Sequence, residues 1–258
     1  MSVSILRQTK QGFWVFDGDR HHTAPAERLG RLDADERIAR LCSNFLTAGD
    51  VVVDAGAFIG DHTIAYQRTV GSSGRVLAFE PNVLARTCGE RNVPSAEWHK
   101  EALGLGDGVL YLNENGGNPG GSWLSLKPTP KEVRVISLDS LNLQRLNFLK
   151  VDVEGREVDL LRGAKETLSR CRPKIWIEIN PDALYRVGTS PQELVSLLRT
   201  MKYVMTGWPD GIKRTEEVPT RLCDRLFLQE EVVLPGGGML LTAGRSPNQR
   251  IVLPKRTF

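Results

Sequence analysis

Acidic residues close several short apolar runs of this chain of 258 residues. These residues are Asp54, Glu80, Asp152, Glu154 and Glu178. If the runs are parallel strands, their carboxyl ends meet at one edge of a sheet, which is where open α/β sheets bind ligands. Carboxylates accept hydrogen bonds from hydroxyl and ammonium groups, and they take up protons in acid–base catalysis. The spacing therefore predicts one site for a ligand that carries such groups.

The segment from Val51 to Gly60 carries the strongest signal. A strand that ends in Asp54 is followed by small residues, including Gly56, and then by a helix, so the backbone can approach a ligand closely. A dinucleotide motif would need glycine where Phe58 stands. S-adenosylmethionine has no pyrophosphate; its ammonium suits Asp54, and its carboxylate suits the N–H groups at a helix start. We expect S-adenosylmethionine here, with a purely structural turn as the alternative.

The elements around this segment alternate between strand and helix. Continuous apolar strands are predicted at 51–54, 76–79, 148–153 and 175–179, with helical spacing between them. This alternation predicts an α/β fold with a parallel sheet. Residues 104–137 break the rhythm with glycine-rich turns, and there we expect an inserted β-hairpin in place of a helix.

Four stretches resemble the FkbM-type methyltransferases. They are Asp54 to Thr63, Phe79-Glu80-Pro81, Glu101 to Gly104, and Lys150-Val151-Asp152-Val153-Glu154-Gly155-Arg156-Glu157. The resemblance runs from about residue 33 to 228, and Lys-x-Asp-x-Glu-Gly is its most specific part. It implies the Rossmann-like class I methyltransferase fold: a mostly parallel, seven-stranded twisted sheet with helices on both faces. Phe58 departs from the family pattern, in which Asn is usual.

The resemblance also implies the cofactor and how it is held. S-adenosylmethionine would lie with its methionine end at Asp54, Gly56 and Gly60, its ribose at Glu80, and its adenine near Ala102. The other cofactor-binding candidates are Ala55, Ala57, Asp61, His62, Pro81, Asn82 and Asp152. For His62, a polar contact at the start of a helix is the alternative. The acceptor implied by the family is a hydroxyl of a sugar or of a small metabolite.

Methyl transfer to a hydroxyl needs in-line alignment and a base for the departing proton. We predict Asp152 as the acid nearest the methyl group, Glu154 as base or substrate anchor, and Glu178 as a further residue on the substrate side. On a regular strand Lys150 would share their face and reduce the repulsion between the acids. The alternative for Glu154 is that it caps the following helix. Carboxylates also suit hard cations, but we predict no metal.

Composition and charge limit the function classes. The chain is 40% hydrophobic and 25% charged, an ordinary globular mixture. Its net charge is +3; residues 232–258 contribute +4 and no acid, which leaves −1 for the rest. We expect a hairpin or lid over 1–32, one methyltransferase domain over 33–231, and a basic tail over 232–258. A nucleic-acid methyltransferase guided by that tail and a non-catalytic binding module are the alternatives, and neither is favoured.

The cysteines and apolar runs bear on the compartment. The four cysteines form no CxxC pair, so we expect buried free thiols. The apolar run at 12–16 is too short for a signal peptide, and acids interrupt the best membrane-span candidate. A cytoplasmic protein without a membrane segment is expected.

Overall fold

The protein is described from a computed structural model. It describes residues 6–16, 19, 23–32, 36–116, 118–206, 215, 218–229, 240–241 and 251–252. The strands are β1 (Leu6–Gln8), β2 (Trp14–Phe16), β3 (Val51–Ala55), β4 (Arg75–Phe79), β5 (Glu97–His99), β6 (Ala102–Leu103), β7 (Gly108–Asn113), β8 (Trp123–Ser125), β9 (Glu132–Ile136), β10 (Phe148–Val151), β11 (Lys174–Ile179), β12 (Tyr203–Met205), β13 (Cys223–Gln229), β14 (Leu240–Leu241) and β15 (Ile251–Val252). The helices are α1 (Thr23–Leu29), α2 (Glu36–Phe45), α3 (Thr63–Val70), α4 (Val83–Asn92), α5 (Glu157–Arg162), α6 (Lys165–Cys171), α7 (Pro181–Arg186) and α8 (Pro191–Thr200).

A seven-stranded sheet forms the centre of the fold. Its order is β12-β13-β11-β10-β3-β4-β5, and β13 alone runs antiparallel to its neighbours. This arrangement confirms the predicted Rossmann-like α/β class and the mostly parallel sheet. The first strand of the motif, β3, lies between β10 and β4, so the acids that close these three strands come to one edge.

Helices cover both faces of the sheet, because alternate residues of each strand point to opposite sides. Val52 packs with Leu41 of α2 and Tyr66 of α3 on one face. Val53 belongs to the core on the other face, together with residues of α5, α6 and α8 such as Leu161. Buried on both sides, the strands read as continuous apolar runs, which is why they could be recognised in the sequence.

The insertion between β5 and β10 is larger than the predicted hairpin. β7 and β8 form an antiparallel hairpin, but β6 and β9 complete a four-stranded sheet of order β6-β9-β7-β8. The pairing of Ala102 with Val135 joins residues far apart in the sequence. Local turn signals do not report such a pairing, so only the hairpin could be predicted.

The helical spacing predicted between the strands at 148–153 and 175–179 corresponds to two helices, α5 and α6, which are separated at Gly163. A side-chain carbon at Gly163 would lie 2.0 Å from the carbonyl oxygen of Gly104. The backbone of the insertion therefore passes directly against the helix break, and only glycine fits there.

The N-terminal residues form the antiparallel hairpin β1–β2, which packs against α4. Asn92 of α4 accepts a hydrogen bond from the N–H of Trp14 at 2.7 Å and donates to its carbonyl at 2.9 Å. Within the segment 1–32, for which we expect a hairpin or lid, Asp17, Gly18, His21 and His22 lie outside the described residues. Within 232–258 the structure pairs β14 with β15. The domain boundaries stay a prediction.

All four cysteines are free thiols. Cys42 and Cys88 are buried, whereas Cys171 and Cys223 are only half-buried, so the expectation of burial holds for two of them. Among the described residues, none of the helices has the length and apolar character needed to cross a membrane.

Candidate active site

A cavity of about 830 Å³ lies at the carboxyl edge of the central sheet, and the inserted sheet forms part of its wall. Twelve of the predicted site residues line it: Ala55, Gly56, Asp61, His62, Glu80, Pro81, Asn82, Ala102, Lys150, Asp152, Glu154 and Glu178. The other three, Asp54, Ala57 and Gly60, are buried outside the lining. The fold thus gathers most of the predicted cofactor side and the whole predicted catalytic group around one space.

The turn after β3 can contain only glycine at position 56. Gly56 has φ +80°, and a side-chain carbon there would lie 1.8 Å from the carbonyl oxygen of Asp152. The N–H groups of Gly56 and Ala57 donate to the carbonyl of Phe79 at 3.0 and 3.1 Å. The ends of three neighbouring strands are therefore held tightly together, and bare backbone forms this part of the cavity wall.

Glu80 lies at the end of β4 and is 7% exposed. One carboxylate oxygen accepts from the N–H of Phe58 at 2.9 Å, and the other accepts from the N–H of Asn82 at 2.7 Å. Burial raises the pKa of Glu80 to about 7, although these two hydrogen bonds act in the opposite direction. Each oxygen keeps a second lone pair, so the fixed carboxylate can still accept hydrogen bonds from ligand hydroxyls.

Asp54 is fully buried and faces other protein groups. Its Oδ2 accepts a hydrogen bond from the hydroxyl of Thr63 at 2.7 Å, and its Oδ1 lies 3.6 Å from Nζ of Lys150. Asp54 therefore acts on the cavity through Lys150. Its contact with a ligand ammonium stays a prediction.

Lys150 brings a buried positive charge to the cavity. Its Nζ lies 3.2 Å from Oδ2 of Asp152 and donates to the carbonyl of Gly56 at 2.7 Å. Burial lowers the pKa of Lys150, but the carboxylates of Asp152 and Asp54 outweigh that effect, so the pKa is raised overall. The ammonium stays charged and offsets the negative charge of Asp152 and Asp54.

Three carboxylates from two strand ends come together beside Lys150. Asp152, Glu154 and Glu178 each offer an oxygen within 4.8 Å of the others, close enough to hold a cation. The charge of Asp152, together with burial and Glu154, raises the pKa of Glu178 well above its usual range. The pKa of Glu154 is raised to about 7, mainly because the side chain is buried and secondly because of the negative charge of Asp152. The group can therefore hold and exchange protons near neutral pH.

The backbone around Glu154 departs from the predicted strand. β10 ends at Val151, and Glu154 adopts φ +53°, a left-handed conformation that is uncommon outside glycine. The regular alternation expected through Glu154 is therefore wrong. Gly155 follows with φ +108°, where a side-chain carbon would meet the carbonyl oxygen of Ala183 at 2.4 Å. The turn therefore packs directly against the backbone of α7.

Glu157 holds this turn, a role that the sequence reasoning did not assign. It is 2% exposed, and its Oε1 accepts from the N–H groups of Gly155 at 3.1 Å and Val153 at 3.3 Å. The alternative role of Glu154 as the cap of the following helix is not observed. Helix α5 begins at Glu157, and Arg156 occupies its N-cap position. The position of Glu157 at the start of the helix is the sequence feature from which this role could have been inferred.

Two buried side-chain atoms at the cavity have no hydrogen-bond partner among the residues that the structure describes. Nδ1 of His62 and Oδ1 of Asn118 are buried without a hydrogen bond, and both residues line the cavity. Buried polar groups are nearly always paired, so these two atoms can form hydrogen bonds with a ligand or with water. Asn118 lies in the glycine-rich loop of the insertion, whose residue types form no recognised chemical motif.

Comparison with known proteins gives one family and several relatives. The Methyltransferase FkbM domain matches residues 54–205. "Methyltransferase 1" of Beauveria bassiana (strain ARSEF 2860) is 32% identical over 143 residues, which is 43% of this chain and 57% of that protein. This chain therefore spans little more than half the length of that relative.

The solved structures that match this chain are more distant in sequence. A methyltransferase FkbM from Methylobacillus flagellatus KT is 18% identical with a TM-score of 0.49, over 71% of this chain and 45% of the other. A SAM-dependent O-methyltransferase from Thermotoga maritima is 11% identical with a TM-score of 0.46, over 87% of this chain and 77% of the other.

The matched FkbM domain covers more than half of the chain. It begins at Asp54 and includes Glu80, Lys150, Asp152, Glu154 and Glu178, so every predicted catalytic residue lies within it. On this match, the chain belongs to the FkbM methyltransferase family.

Proposed function

We propose that the protein transfers a methyl group from S-adenosylmethionine to a hydroxyl of a sugar or a small metabolite. One observation carries this proposal: a single cavity joins the Gly56 turn and Glu80 to the carboxylates of Asp152, Glu154 and Glu178. The first two suit a cofactor, and the carboxylates suit an acceptor that must lose a proton. Family membership supports methyl transfer as the reaction class.

The residues at the cofactor side fit S-adenosylmethionine. Gly56 leaves room for close approach to the backbone, and the fixed carboxylate of Glu80 can accept the ribose hydroxyls. Ala102 at the start of the inserted sheet lines the space where the adenine would lie. The unpartnered Nδ1 of His62 offers a further polar contact. When bound, the cofactor supplies an electrophilic methyl carbon on a positively charged sulfur.

The acid group supplies the proton acceptor. Glu154 would take the hydroxyl proton as the acceptor oxygen is methylated, and the cofactor would supply the methyl group and keep the electron pair of the broken carbon–sulfur bond. A pKa of about 7 matches this task, because the base must be ionised yet able to bind a proton at neutral pH. Such catalysis contributes about a hundredfold or more. The ammonium of Lys150 lies 3.2 Å from Oδ2 of Asp152 and offsets negative charge beside the base.

Two experiments test this function. Calorimetric titration with S-adenosylmethionine and its demethylated product, S-adenosylhomocysteine, should give binding to both; binding to neither would remove the enzyme hypothesis. Labelled methyl transfer is then measured against sugar, metabolite and RNA pools. Label in RNA alone would replace the proposed acceptor with the nucleic-acid alternative, and cofactor binding without any transfer would favour a non-catalytic module.

A further inference from the structure

The inserted sheet gives the cavity an apolar wall. Leu112 pairs with Leu124 across β7 and β8, and Leu110 lies two residues before Leu112, so these side chains share one face of the sheet. Val135 of β9 belongs to the same small cluster, and all four residues line the cavity. An apolar face of the insertion is thus turned toward the candidate active site.

The rim of the cavity is apolar as well. Leu29, Leu105, Val109 and Leu126 line it and are 48%, 62%, 51% and 77% exposed. They are four of the seven large hydrophobic side chains that are exposed in the described part of the chain. Exposed apolar groups that gather in one place mark a binding site, whereas scattered ones need no explanation. Here most of them surround one opening.

The polar end of this space adjoins the acid group. A side-chain carbon at Gly121 would lie 3.6 Å from Oε1 of Glu154, so the glycine-rich loop passes directly beside that carboxylate. Asn118 of the same loop contributes the buried, unpartnered Oδ1. Leucines of the inserted sheet and hydrogen-bond acceptors at its loop therefore form one continuous lining.

We propose that the methyl acceptor is amphipathic: an alkyl or aromatic body lies on the leucine wall, and its hydroxyl points to Glu154 and Asn118. This inference rests on the proposed methyl transfer and narrows its substrate class. A free sugar would place its hydroxyl groups against the leucine side chains, and contact between polar groups and apolar surface does not stabilise a complex. An acceptor with an apolar body buries the same surface favourably.

The test uses the full-length protein and two pairs of probes, in which the members differ only in the apolar body. The first pair is n-octyl glucoside and methyl glucoside. The second pair is the n-octyl ether and the methyl ether of glycerol. Binding is measured by calorimetry on protein saturated with S-adenosylhomocysteine, and turnover is measured with labelled S-adenosylmethionine. We expect at least one octyl probe to bind about tenfold or more tightly than its methyl partner and to be methylated in preference to it.

The variant Leu126→Asn should reduce this preference about tenfold, because it removes an apolar contact at the rim. Its matched control is Leu222→Asn, since Leu222 is 60% exposed but does not line the cavity. The control should behave as wild type.

Three results separate the ideas under test. If the cofactor product binds but neither octyl probe is preferred, the amphipathic acceptor is wrong and the methyltransferase proposal stands. If Leu126→Asn weakens binding of S-adenosylhomocysteine and leaves the octyl preference intact, the rim serves the cofactor and the inference is overturned. If S-adenosylhomocysteine does not bind the wild type at all, the proposed function itself fails.

Discussion

Nζ of Lys150 lies 3.2 Å from Oδ2 of Asp152, and the side chain of Lys150 is only 4% exposed. The same ammonium donates to the carbonyl of Gly56 and lies 3.6 Å from Asp54. One buried cation thus joins the end of β3, the glycine turn and the first acid after β10. Its charge balances acids that would otherwise repel each other, so the shape and the charge of the cavity depend on it.

Replacing Lys150 should therefore destabilise the fold strongly. In Lys150→Met, the carboxylate of Asp54 stays buried without its cation, and breaking a buried pair costs about 3–5 kcal/mol. Denaturant unfolding measures this loss. The control is Lys131→Met, whose ion pair with Glu114 is exposed and should contribute less than about 1 kcal/mol. Equal losses in the two variants would contradict the role of Lys150.

Glu80→Gln should weaken cofactor binding. The substitution keeps the size of the side chain, but it replaces one carboxylate oxygen with an amide nitrogen, which cannot accept a hydrogen bond. Glu80 thereby loses an acceptor for the N–H of Phe58 or Asn82 and for a ribose hydroxyl. Hydrogen bonds to charged groups contribute about 1.5–3 kcal/mol, so the Kd for S-adenosylhomocysteine should rise about tenfold or more. Glu97→Gln, in an exposed ion pair with Arg75 on the adjacent strand, is the control. A Kd that is unchanged in Glu80→Gln would remove Glu80 from the site.

The fold was predictable where burial leaves a sequence pattern. Residues 51–53 and 175–177 are buried on both faces, and the continuous apolar character of these runs predicts the strands there. The break at Gly163 could not be predicted, because it depends on the backbone of Gly104, which is distant in the sequence. Packing between remote segments overrides local helical spacing there.

The site was predictable in part, for a related reason. The acids that close the strands meet at one edge, so their grouping follows from the parallel topology. The left-handed turn at Glu154 and its support by Glu157 depend on individual backbone angles and hydrogen bonds, which residue types do not fix. The leucine wall was missed because it needs the pairing of β7 with β8 and the position of the whole insertion.

Methyl transfer should depend on the ionisation of Glu154. Burial and Asp152 raise its pKa to about 7, and a base works only when it is deprotonated. The kcat/KM of the wild type should therefore rise as pH increases through about 7. Glu154→Gln should lower kcat about a hundredfold or more, flatten this profile and leave the Kd for S-adenosylhomocysteine unchanged. If the variant keeps the pH-dependent rise, another group is the base.

Chelation should leave turnover intact. Asp152, Glu154 and Glu178 lie close enough to hold a cation, but Lys150 and bound protons already offset their charge. We expect the same rate before and after dialysis against EDTA, with added Mg²⁺ as the matched condition. A loss of activity on dialysis that Mg²⁺ restores would show that a metal takes part, and it would assign the three carboxylates to that ion.

Glu157 should control both the position of Glu154 and part of the pH dependence of stability. Burial raises the pKa of Glu157 to about 7, above its unfolded value, so the folded state binds this proton more tightly than the unfolded state does. The resulting stability is complete below about pH 4.5 and is lost as pH rises through about 7, a change of about 3 kcal/mol. Glu157→Gln does not titrate and should lack this part of the dependence. Unfolding free energies at pH 5 and pH 8 measure the difference, and the exposed Glu166→Gln serves as control.

A second variant at this position separates positioning from stability. Glu157→Gln keeps an oxygen that can accept from the N–H groups of Val153 and Gly155, whereas Glu157→Leu leaves both amides without an acceptor. The leucine variant should therefore lower kcat about tenfold or more while KM for the cofactor stays the same, because the turn that carries Glu154 loses its support. The glutamine variant should retain most of the wild-type kcat. Equal kcat values in the two variants would mean that Glu157 contributes to folding alone, and that the left-handed turn at Glu154 keeps its geometry without it.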